Sequence, residues 1–396
     1  MHKKILNFKT TPIDQLDFNY RHNTGDSFIA MNISELANTY LASTIQEKGL
    51  DMKASFFILA LANLHYDGKL LSLKNTETGD VLEKIFTKNV KLALQKKAPE
   101  RSEDEGVIIA ISKKYKSIWN VPAIERKMVG NFFVEFNPLR ALRPSRMSSK
   151  KVARNNDYTP ILQPFAKDDF NFAKSFIDAE VFLEIKKPNI SLAFNKYPYA
   201  KSHALCIIDR KKGEHPQLLT PYILEQVDYI QKLYPKAVLA WNSKGAHASV
   251  NHAHIHLIAS NEDLPIMKLP IEKKVENEAK GGIVDWPINN RVFEGKDRFS
   301  NLKKYIYRNI HTEEGMFINK PVYYNLIFAG KKIFLFMIRD QQEFGMDVDK
   351  VIGTGIAWLE EGGKITTIDK DQYESVTAKD IETNMRAESV SDFFYH

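Results

Sequence analysis

The feature that most constrains this chain is a run of three histidines at alternate positions. His252, His254 and His256 lie in the sequence Ser-Val-Asn-His-Ala-His-Ile-His-Leu-Ile, with an apolar residue between each pair. Alternation with a period of two is typical of a β-strand, so we expect the three imidazoles to project from one face of one strand. Buried imidazoles need hydrogen-bond partners, and charged ones repel each other. Such a face is typical of a site for an anion, a metal ion or a covalent intermediate.

A metal site is one interpretation of this strand. Alternate residues on one face have Cβ atoms about 6.5–7 Å apart, so the outer two rings would reach a common ion only under strain. The chain has a single cysteine, Cys206, which excludes internal disulfides and cysteine-rich zinc sites. We therefore predict no metal and no other cofactor. A structural role, in which the imidazoles cap a sheet, is a second alternative to catalysis.

Nucleophilic attack on phosphorus is the interpretation that we favour, because a neutral imidazole is a good nucleophile near neutral pH. His254 would attack, while His252 and His256 would donate hydrogen bonds to phosphate oxygens and to the leaving oxygen. The preceding loop adds Ser249, Lys244 and backbone amides as donors to the charge of the transition state. Glycine at position 245 of that loop would permit a close approach of the backbone to the phosphate.

A basic segment earlier in the chain is a second candidate for anion binding. Arg140, Arg143 and Arg146 follow the strand-like residues 131–136 and lie among prolines. A guanidinium matches the geometry of a phosphate, so the pattern is typical of an anion-binding segment. A solvated basic loop explains the same pattern equally well.

The order of the predicted elements indicates an α+β fold. Apolar residues at helical spacing predict a mainly helical region over residues 26–66, followed by a turn into a strand over residues 65–73. Residues 96–106 are charged and predict an exposed loop. From residue 181 the order is strand, turn, strand, helix, strand, loop and the histidine strand. Thr220 as N-cap and Pro221 as the first helical residue predict where that helix begins.

The last third of the chain repeats this order. Residues 283–294 are strand-like, residues 301–310 predict a helix, and residues 322–328 and 333–338 predict a pair of strands. We therefore predict a duplication whose second copy lacks the histidines and supplies a wall of the substrate site. The predicted domains are an N-terminal α+β region of unassigned role, a catalytic domain and a degenerate copy, over residues 1–128, 129–270 and 271–396.

The histidine run resembles the His-φ-His-φ-His-φ-φ pattern, with φ apolar, of the histidine triad superfamily of nucleotide hydrolases and transferases. A closer likeness is to the GDP-hexose phosphorylases, GDP-L-galactose phosphorylase and GDP-D-glucose phosphorylase, which are related to galactose-1-phosphate uridylyltransferase. The segments that carry this likeness are Phe133-Val-Glu-Phe-Asn-Pro-Leu-Arg, Leu162-Gln-Pro-Phe, Phe194-Asn-Lys-Tyr-Pro-Tyr-Ala-Lys-Ser-His, Trp241-Asn-Ser-Lys-Gly-Ala-His, Asp285-Trp-Pro-Ile and Tyr324-Asn-Leu-Ile-Phe-Ala-Gly-Lys-Lys. The resemblance implies a histidine-triad-like antiparallel sheet with packed helices.

The resemblance also implies a reaction. His254 attacks the α-phosphorus of a nucleoside diphosphate sugar, a sugar 1-phosphate leaves, and inorganic phosphate then takes the nucleotide from the histidine. With a GDP-hexose the products are hexose 1-phosphate and GDP. His252, His256 and Ser249 are implied as further catalytic residues. The substrate-binding residues, drawn from the resemblance and from the loop, are Arg140, Arg143, Arg146, Asn195, His203, Asn242, Ser243, Lys244, Gly245 and Asn251.

One position departs from the family pattern. The third triad position is usually glutamine in the phosphorylases and uridylyltransferases, whereas this chain has His256, as the hydrolase branches do. A histidine there is expected to ease hydrolysis of the intermediate or to change the acceptor. The alternative function is therefore a hydrolase or transferase that acts on another nucleotide conjugate, such as a dinucleoside polyphosphate. A nucleic-acid end-processing protein is a further alternative.

Charge and hydropathy narrow the choice of partner and compartment. A net charge of +7 suits nucleotides as well as nucleic acids, but the sequence has neither a zinc-finger pattern nor the aromatic–basic interleaving of a nucleic-acid-binding surface. No apolar stretch approaches the roughly 20 residues of a membrane span, and the N-terminus lacks a secretory signal pattern. We expect a soluble cytoplasmic enzyme with no membrane partner. The nucleobase, the sugar and the formation of a homodimer are left open.

Overall fold

The structure is a computed structural model, and it describes residues 33–143, 160–259, 264–274, 281–310, 322–340, 351–353 and 355–390. Arg146 and the part of the predicted helical region before residue 33 lie outside the described residues. Within these ranges, every helix is too short or too polar to cross a membrane.

The N-terminal region is helical, as predicted. Its helices in the described part are α1 (Ile33–Lys48), α2 (Ala54–Tyr66), α3 (Glu77–Gln95) and α4 (Glu103–Tyr115). Helix α2 is buried at nearly every position because apolar residues occupy all of its sides. It therefore forms the centre of this layer, and α1, α3 and α4 pack around it.

Two local predictions in this region are wrong. The turn at Gly68 forms, but Leu71–Leu73 is a short 3-10 helix and not a strand. The predicted loop over residues 96–106 ends early, because α4 begins at Glu103. The Ser102 hydroxyl accepts a hydrogen bond from the amide of Glu105, and the Glu105 carboxylate accepts one from the amide of Ser102. This reciprocal capping box fixes the start of a helix in an otherwise charged segment.

The described strands form two sheets. In chain order they are β1 (Glu125–Val129), β2 (Phe132–Phe136), β3 (Val181–Ile185), β4 (Ile190–Phe194), β5 (His203–Ile208), β6 (Val238–Asn242), β7 (His254–Ile258), β8 (Lys273–Lys274), β9 (Gly282–Ile283), β10 (Asn290–Glu294), β11 (Tyr323–Ala329), β12 (Lys332–Ile338) and β13 (Lys364–Thr367). The smaller sheet has the order β1-β2-β13. The larger sheet has the order β3-β4-β5-β7-β6-β11-β12-β10-β9-β8 and is antiparallel throughout.

The two halves of the large sheet repeat one topology. The first half has the order β3-β4-β5-β7-β6, and helix α5 (Pro221–Leu233) connects β5 to β6. The second half has the order β8-β9-β10-β12-β11, and helix α6 (Arg298–Asn309) connects β10 to β11. The halves meet where the equivalent strands β6 and β11 pair antiparallel. The predicted duplication is therefore present in the topology, and β12, the equivalent of the histidine strand, carries no histidine.

Local signals place α5 as predicted, but one predicted strand is shorter than expected. Thr220 accepts a hydrogen bond from the amide of Ile223, and Pro221 is the first helical residue. Residues 284–289, which the sequence assigned to a strand, lie between β9 and β10 and pair with neither. Pro287 explains this interruption because it has no amide hydrogen to donate to a ladder.

The C-terminal part of the chain packs back onto the half of the large sheet that contains the histidine strand. It contains α7 (Trp358–Glu361), α8 (Lys370–Ser375) and α9 (Ala378–Glu388). Strand β13 follows α7 and pairs in parallel with β2. One apolar core runs through both sheets and the helices around them. The division of the chain into three domains stays a prediction.

Candidate active site

Strand β7 lies between β5 and β6 in the first half of the large sheet. It pairs with β5, where Ile207 is opposite His254 and Leu205 is opposite His256, and with β6 on its other side. Every residue of β7 is buried. The His254 and His256 rings lie on one face, with their centroids 5.5 Å apart. Two of the three imidazoles are therefore arranged as the period-two pattern predicts.

His252 differs from the prediction because it precedes the strand. The amide of the next residue, Ala253, donates to the carbonyl of His215, so the chain enters the ladder only afterwards. The His252 ring is fully buried against Phe165, and its Nδ1 accepts a hydrogen bond from the amide of Phe172. The first histidine of the run is thus held by contacts with Phe165 and Phe172, which lie in a separate segment.

The hydrogen bonds of His254 define its protonation. Its Nδ1 lies 2.7 Å from the carbonyl oxygen of His252. A carbonyl can only accept, so Nδ1 carries the ring proton and Nε2 keeps a lone pair. Burial lowers the pKa of His254 to about 4, and the charge of Lys244 acts in the same direction. The ring is therefore neutral at pH 7 and presents a nucleophilic Nε2.

His252 has the opposite tautomer to His254. Because its Nδ1 accepts a hydrogen bond, the neutral ring carries its proton on Nε2. That nitrogen is buried and has no hydrogen-bond partner in the described part of the chain. Burial, assisted by His254, lowers the pKa of His252 to about 4. A buried N–H without a partner is uncommon in native proteins and suits a site that receives an oxygen from a ligand.

His256 belongs to a buried polar cluster with His203 of β5. Its Nδ1 lies 3.0 Å from Nε2 of His203 and 3.2 Å from the hydroxyl of Tyr199. Burial lowers the pKa of both histidines well below the ordinary value. Asn195 Nδ2 lies 3.4 Å from Nε2 of His203. The structure thus brings Asn195 and His203 to the triad, and their predicted contacts with a nucleoside stay predictions.

The loop between β6 and β7 is fastened to the second half of the sheet. The hydroxyl of Ser243 accepts from the amide of Tyr324, and its own amide donates to Oδ1 of Asn325. Oδ1 of Asn242 accepts from the amide of Trp358. Ser243 and Asn242 are both buried. The structure therefore gives these two predicted substrate-binding residues a role in anchoring the loop.

Gly245 and Asn251 have structural contacts that the sequence did not predict. Gly245 has φ +89°, and a Cβ there would lie 2.4 Å from the Tyr323 ring, so the close approach of Tyr323 requires glycine. The predicted approach of a phosphate to this backbone stays a prediction. Asn251 donates to the carbonyls of Gln163 and Pro164 and accepts from the amide of Gln217. Its amide group is fully engaged in holding the loop.

Lys244 lies close enough to the triad for its charge to act on His254, and it contacts the backbone at Ser249. Lys244 is buried, and its Nζ lies 3.5 Å from the carbonyls of Ala248 and Ser249, so the side chain folds back over its own loop. Ser249 is partly exposed. A buried ammonium whose charge acts on His254 is well placed to attract an anionic phosphate.

Arg140 is not part of a solvated loop. It is buried, its Nη1 donates to the carbonyl of Tyr197, and its guanidinium lies 4.4 Å from the centre of the Tyr199 ring. After burial and the neighbouring histidines, the charges of Arg140 and Arg143 further lower the pKa of His256. Two of the three predicted arginines therefore approach the triad from the side of His256, while Arg146 lies outside the described residues.

Three residues of the site were missed by the sequence analysis. Gln217 donates to the carbonyls of Asn242 and His254 and accepts from the amide of His254, so it completes the backbone hydrogen bonds where β6 and β7 separate. The Tyr199 hydroxyl lies within hydrogen-bond distance of His256, and Trp358 donates to that hydroxyl. No local pattern marks these residues, because each acts across a large sequence separation.

The N-terminal helices hold the loop that carries Tyr199. Asn63 of α2 donates to the carbonyl of Asn195, and Asp67 accepts from the amide of Ser202. Lys196 forms a 2.6 Å ion pair with Asp104 of α4. The contacts fix both ends of the loop over residues 195–202. They agree with a structural contribution of this region to the site.

In the described ranges, no group of three or more histidine, cysteine, aspartate or glutamate side chains could hold a metal ion. The charged and titratable side chains around the triad are imidazoles, the buried ammonium of Lys244 near His254, and guanidinium groups on the side of His256. This set is suited to binding a phosphorylated anion beside a neutral nucleophile.

A family model described as "GDPGP1-like, N-terminal domain" matches residues 119–258. The match covers about a third of the chain and ends at Ile258, the last residue of the histidine strand. No curated protein matches the chain significantly.

Solved structures of yeast Ap4A phosphorylase Apa2 are similar to this chain. The enzyme in one crystal structure has 14% identity and a TM-score of 0.45, over 67% of this chain and 89% of the other. Its complex with Ap4A has 15% identity and a TM-score of 0.44, over 76% and 97% of the two chains. Its complex with AMP has 13% identity and a TM-score of 0.43, over 76% and 96%.

The pH dependence of the reaction tests the neutral triad. Because the pKa of His254 lies near 4 and not near its ordinary value of 6.5, Nε2 keeps its lone pair in mild acid. We expect kcat/KM to stay level from pH 7 to about pH 5 and to fall only below that.

Folding must be followed in the same buffers. Below pH 6.5 the unfolded chain binds protons on these imidazoles while the folded chain does not, so they reduce stability as the pH falls toward 4. Circular dichroism separates loss of fold from loss of the nucleophile. An acid limb centred near 6.5 in fully folded protein would show that His254 has an ordinary pKa.

Proposed function

We propose that this chain is a nucleotidyltransferase that forms a nucleotidyl-histidine at His254, and that it catalyses phosphorolysis of a nucleoside diphosphate sugar. The observation that carries the proposal is the hydrogen bond from Nδ1 of His254 to the carbonyl of His252, which leaves a neutral ring with a free Nε2 lone pair. The match of residues 119–258 to the GDPGP1-like N-terminal domain supports a GDP-hexose as the substrate.

The first step is attack of Nε2 on the α-phosphorus. An N–P bond forms, the P–O bond to the second phosphate breaks, and its electron pair leaves with the sugar 1-phosphate. The substituted ring is then cationic, and its remaining proton stays on Nδ1 in the hydrogen bond to the His252 carbonyl. This carbonyl stabilises the positive charge because the hydrogen bond becomes charge-assisted.

The second step is attack by inorganic phosphate on the same phosphorus. A new P–O bond forms, the N–P bond breaks, and its electron pair returns to Nε2, which regenerates the neutral ring and releases a nucleoside diphosphate. His252 donates from its unpaired Nε2–H to a phosphate oxygen, and Lys244 neutralises charge. Ser249 adds a hydroxyl donor, and the two arginines attract the incoming phosphate.

The test is a panel of nucleoside diphosphate sugars, each incubated with and without inorganic phosphate, with products separated by ion-exchange chromatography. We expect phosphate-dependent release of sugar 1-phosphate and a nucleoside diphosphate, with GDP-hexoses as the best substrates. Ap4A belongs in the panel as a dinucleoside polyphosphate. Turnover of Ap4A with no turnover of any nucleotide sugar would replace this proposal by the alternative function.

His256→Gln tests which acceptor the site selects. The resemblance associates glutamine at this position with phosphorylases and uridylyltransferases, and histidine with hydrolases. We expect the ratio of phosphorolysis to hydrolysis to rise by about three- to tenfold, measured as nucleoside diphosphate against nucleoside monophosphate released at one phosphate concentration. An unchanged ratio would show that this position does not select the acceptor.

A further inference from the structure

A chain of hydrogen bonds runs from helix α7 to the third histidine of the triad. The indole Nε1 of Trp358 donates to the hydroxyl of Tyr199 at 3.1 Å, and this hydroxyl lies 3.2 Å from Nδ1 of His256. Nε2 of His203 lies 3.0 Å from the same Nδ1. All four side chains are buried. Water therefore cannot exchange freely with the partners, and each proton must have a definite position.

The protons of this chain can be assigned from its donors. An indole N–H can only donate, so the Tyr199 oxygen accepts at that end. The single proton of the hydroxyl then has Nδ1 of His256 as its acceptor among the described residues. Nδ1 must therefore be unprotonated. Because the ring is neutral, its proton lies on Nε2, the nitrogen on the other side of the ring.

The neighbouring histidine would permit the opposite arrangement. If Nδ1 of His256 carried the proton, it would donate to Nε2 of His203, which Asn195 Nδ2 also approaches at 3.4 Å. The Tyr199 hydroxyl would then lose its acceptor. The neutral His203 ring would carry its proton on Nδ1, which is buried and has no partner in the described ranges. In the first arrangement His203 donates from Nε2 and leaves only its Nδ1 lone pair without a partner. The opposite arrangement leaves two buried donors unmet, the Tyr199 hydroxyl and the Nδ1–H of His203, and is therefore disfavoured.

We infer that Tyr199, oriented by Trp358, is a positioning residue that fixes the tautomer of His256 so that Nε2–H donates to a phosphate oxygen of the substrate. The inference rests on the proposed function. His256 donates a hydrogen bond and transfers no proton, because the sugar 1-phosphate leaves as an anion. Without the hydroxyl, the proton of His256 can move to Nδ1. Nε2 would then present a lone pair that repels the same phosphate oxygen.

Nuclear magnetic resonance of ligand-free protein labelled with ¹⁵N-histidine tests the tautomer directly. The His256 resonances are assigned by their loss in His256→Gln. We expect wild type to show a protonated Nε2 and an unprotonated Nδ1, and Tyr199→Phe to shift the population toward protonated Nδ1. A protonated Nδ1 in wild type, or an unchanged tautomer in Tyr199→Phe, would overturn the inference. This readout does not depend on turnover.

Kinetics distinguish positioning from a structural contribution. We expect Tyr199→Phe to lower kcat by about 10- to 100-fold with KM changed by less than about threefold, because one transition-state donor is lost. In a His256→Gln background the same substitution is expected to change kcat by less than about twofold, since an amide has no tautomer to fix. An equal loss of kcat in both backgrounds would show that Tyr199 acts through the fold.

Tyr66→Phe is the matched control, because the Tyr66 hydroxyl is also buried and its hydrogen-bond partners are Glu135 and Lys364 instead of a triad histidine. It reports the cost of removing a buried hydroxyl, with the His256 tautomer unchanged. Trp358→Phe keeps an aromatic ring but removes the indole donor, and we expect a smaller shift of the same kind. If wild type forms no nucleotidyl-histidine, the proposed function fails, while the resonance data still decide on the tautomer.

Discussion

His254→Ala is expected to lower kcat/KM for nucleotidyl transfer by at least about a thousandfold, because the substitution removes the only atom that forms the covalent bond. Neither flanking ring can replace it. His252 presents a proton on Nε2, and Nδ1 of His256 faces His203 and Tyr199. Substrate affinity is expected to change much less, since the donors to the phosphates remain.

The intermediate itself gives the sharpest measurement. A nucleoside diphosphate sugar labelled with ³²P at the α-phosphorus is incubated with protein in the absence of phosphate. The reaction is stopped in alkaline detergent, because phosphohistidine is labile to acid. We expect stoichiometric label on wild type, loss of that label on addition of phosphate, and no label on His254→Ala.

A second histidine substitution controls for non-specific labelling. His215 is partly exposed and its ring contacts Asp209, outside the triad. His215→Gln keeps the backbone carbonyl that holds Ala253, so we expect label and turnover within about threefold of wild type. Activity of His254→Ala within about tenfold of wild type would show that another group is the nucleophile.

The central part of this site follows from local sequence patterns. The period-two alternation predicts β7 and places His254 and His256 on one face, as observed. Thr220 and Pro221 predict the start of α5. The repeated order of elements predicts the duplication seen in the sheet. These signals succeed because caps, turns and strand periodicity are properties of a few neighbouring residues.

Other parts of the site depend on contacts between distant segments. His252 lies outside the strand because Ala253 bonds to the carbonyl of His215, and the backbone of His254 is completed by Gln217. Trp358 reaches Tyr199 because α7 is hydrogen-bonded to Asn242 of β6 and Asn325 of β11, and because β13, which follows α7, pairs with β2. No local pattern encodes such pairings, since the partners are set by tertiary packing. The start of α4 is different, because Ser102 and Glu105 have capping-box spacing that local reasoning could have identified.

Gly245→Ala is expected to destabilise the protein by about 2–4 kcal/mol, which makes it the largest stability effect that we predict. Two costs combine in this variant. A non-glycine residue at φ +89° is strained by about 1–3 kcal/mol, and a Cβ would lie 2.4 Å and 2.5 Å from two atoms of the Tyr323 ring. Urea unfolding followed by fluorescence measures the change in the free energy of unfolding.

Gly295→Ala separates these two costs. Gly295 has nearly the same positive φ, +85°, but no described atom lies within 4 Å of the Cβ position. Its loss of stability therefore reports backbone strain alone, and the excess in Gly245→Ala reports the clash with Tyr323. An equal loss in both variants would show that the Tyr323 ring moves aside without cost.

The loop between β6 and β7 carries both Gly245 and Lys244, so a change at Gly245 can also affect substrate binding. Gly245 follows Lys244, whose buried ammonium acts on His254, and Ser243, which is fastened to β11. Relief of the clash must move either the Tyr323 ring in β11 or the loop itself. If the loop moves, Lys244 moves with it, and we expect KM for the nucleotide sugar to rise by about tenfold in protein that is still folded. A Gly245→Ala variant with lowered stability and unchanged KM would show that Tyr323 yields and that the position of Lys244 does not depend on this glycine.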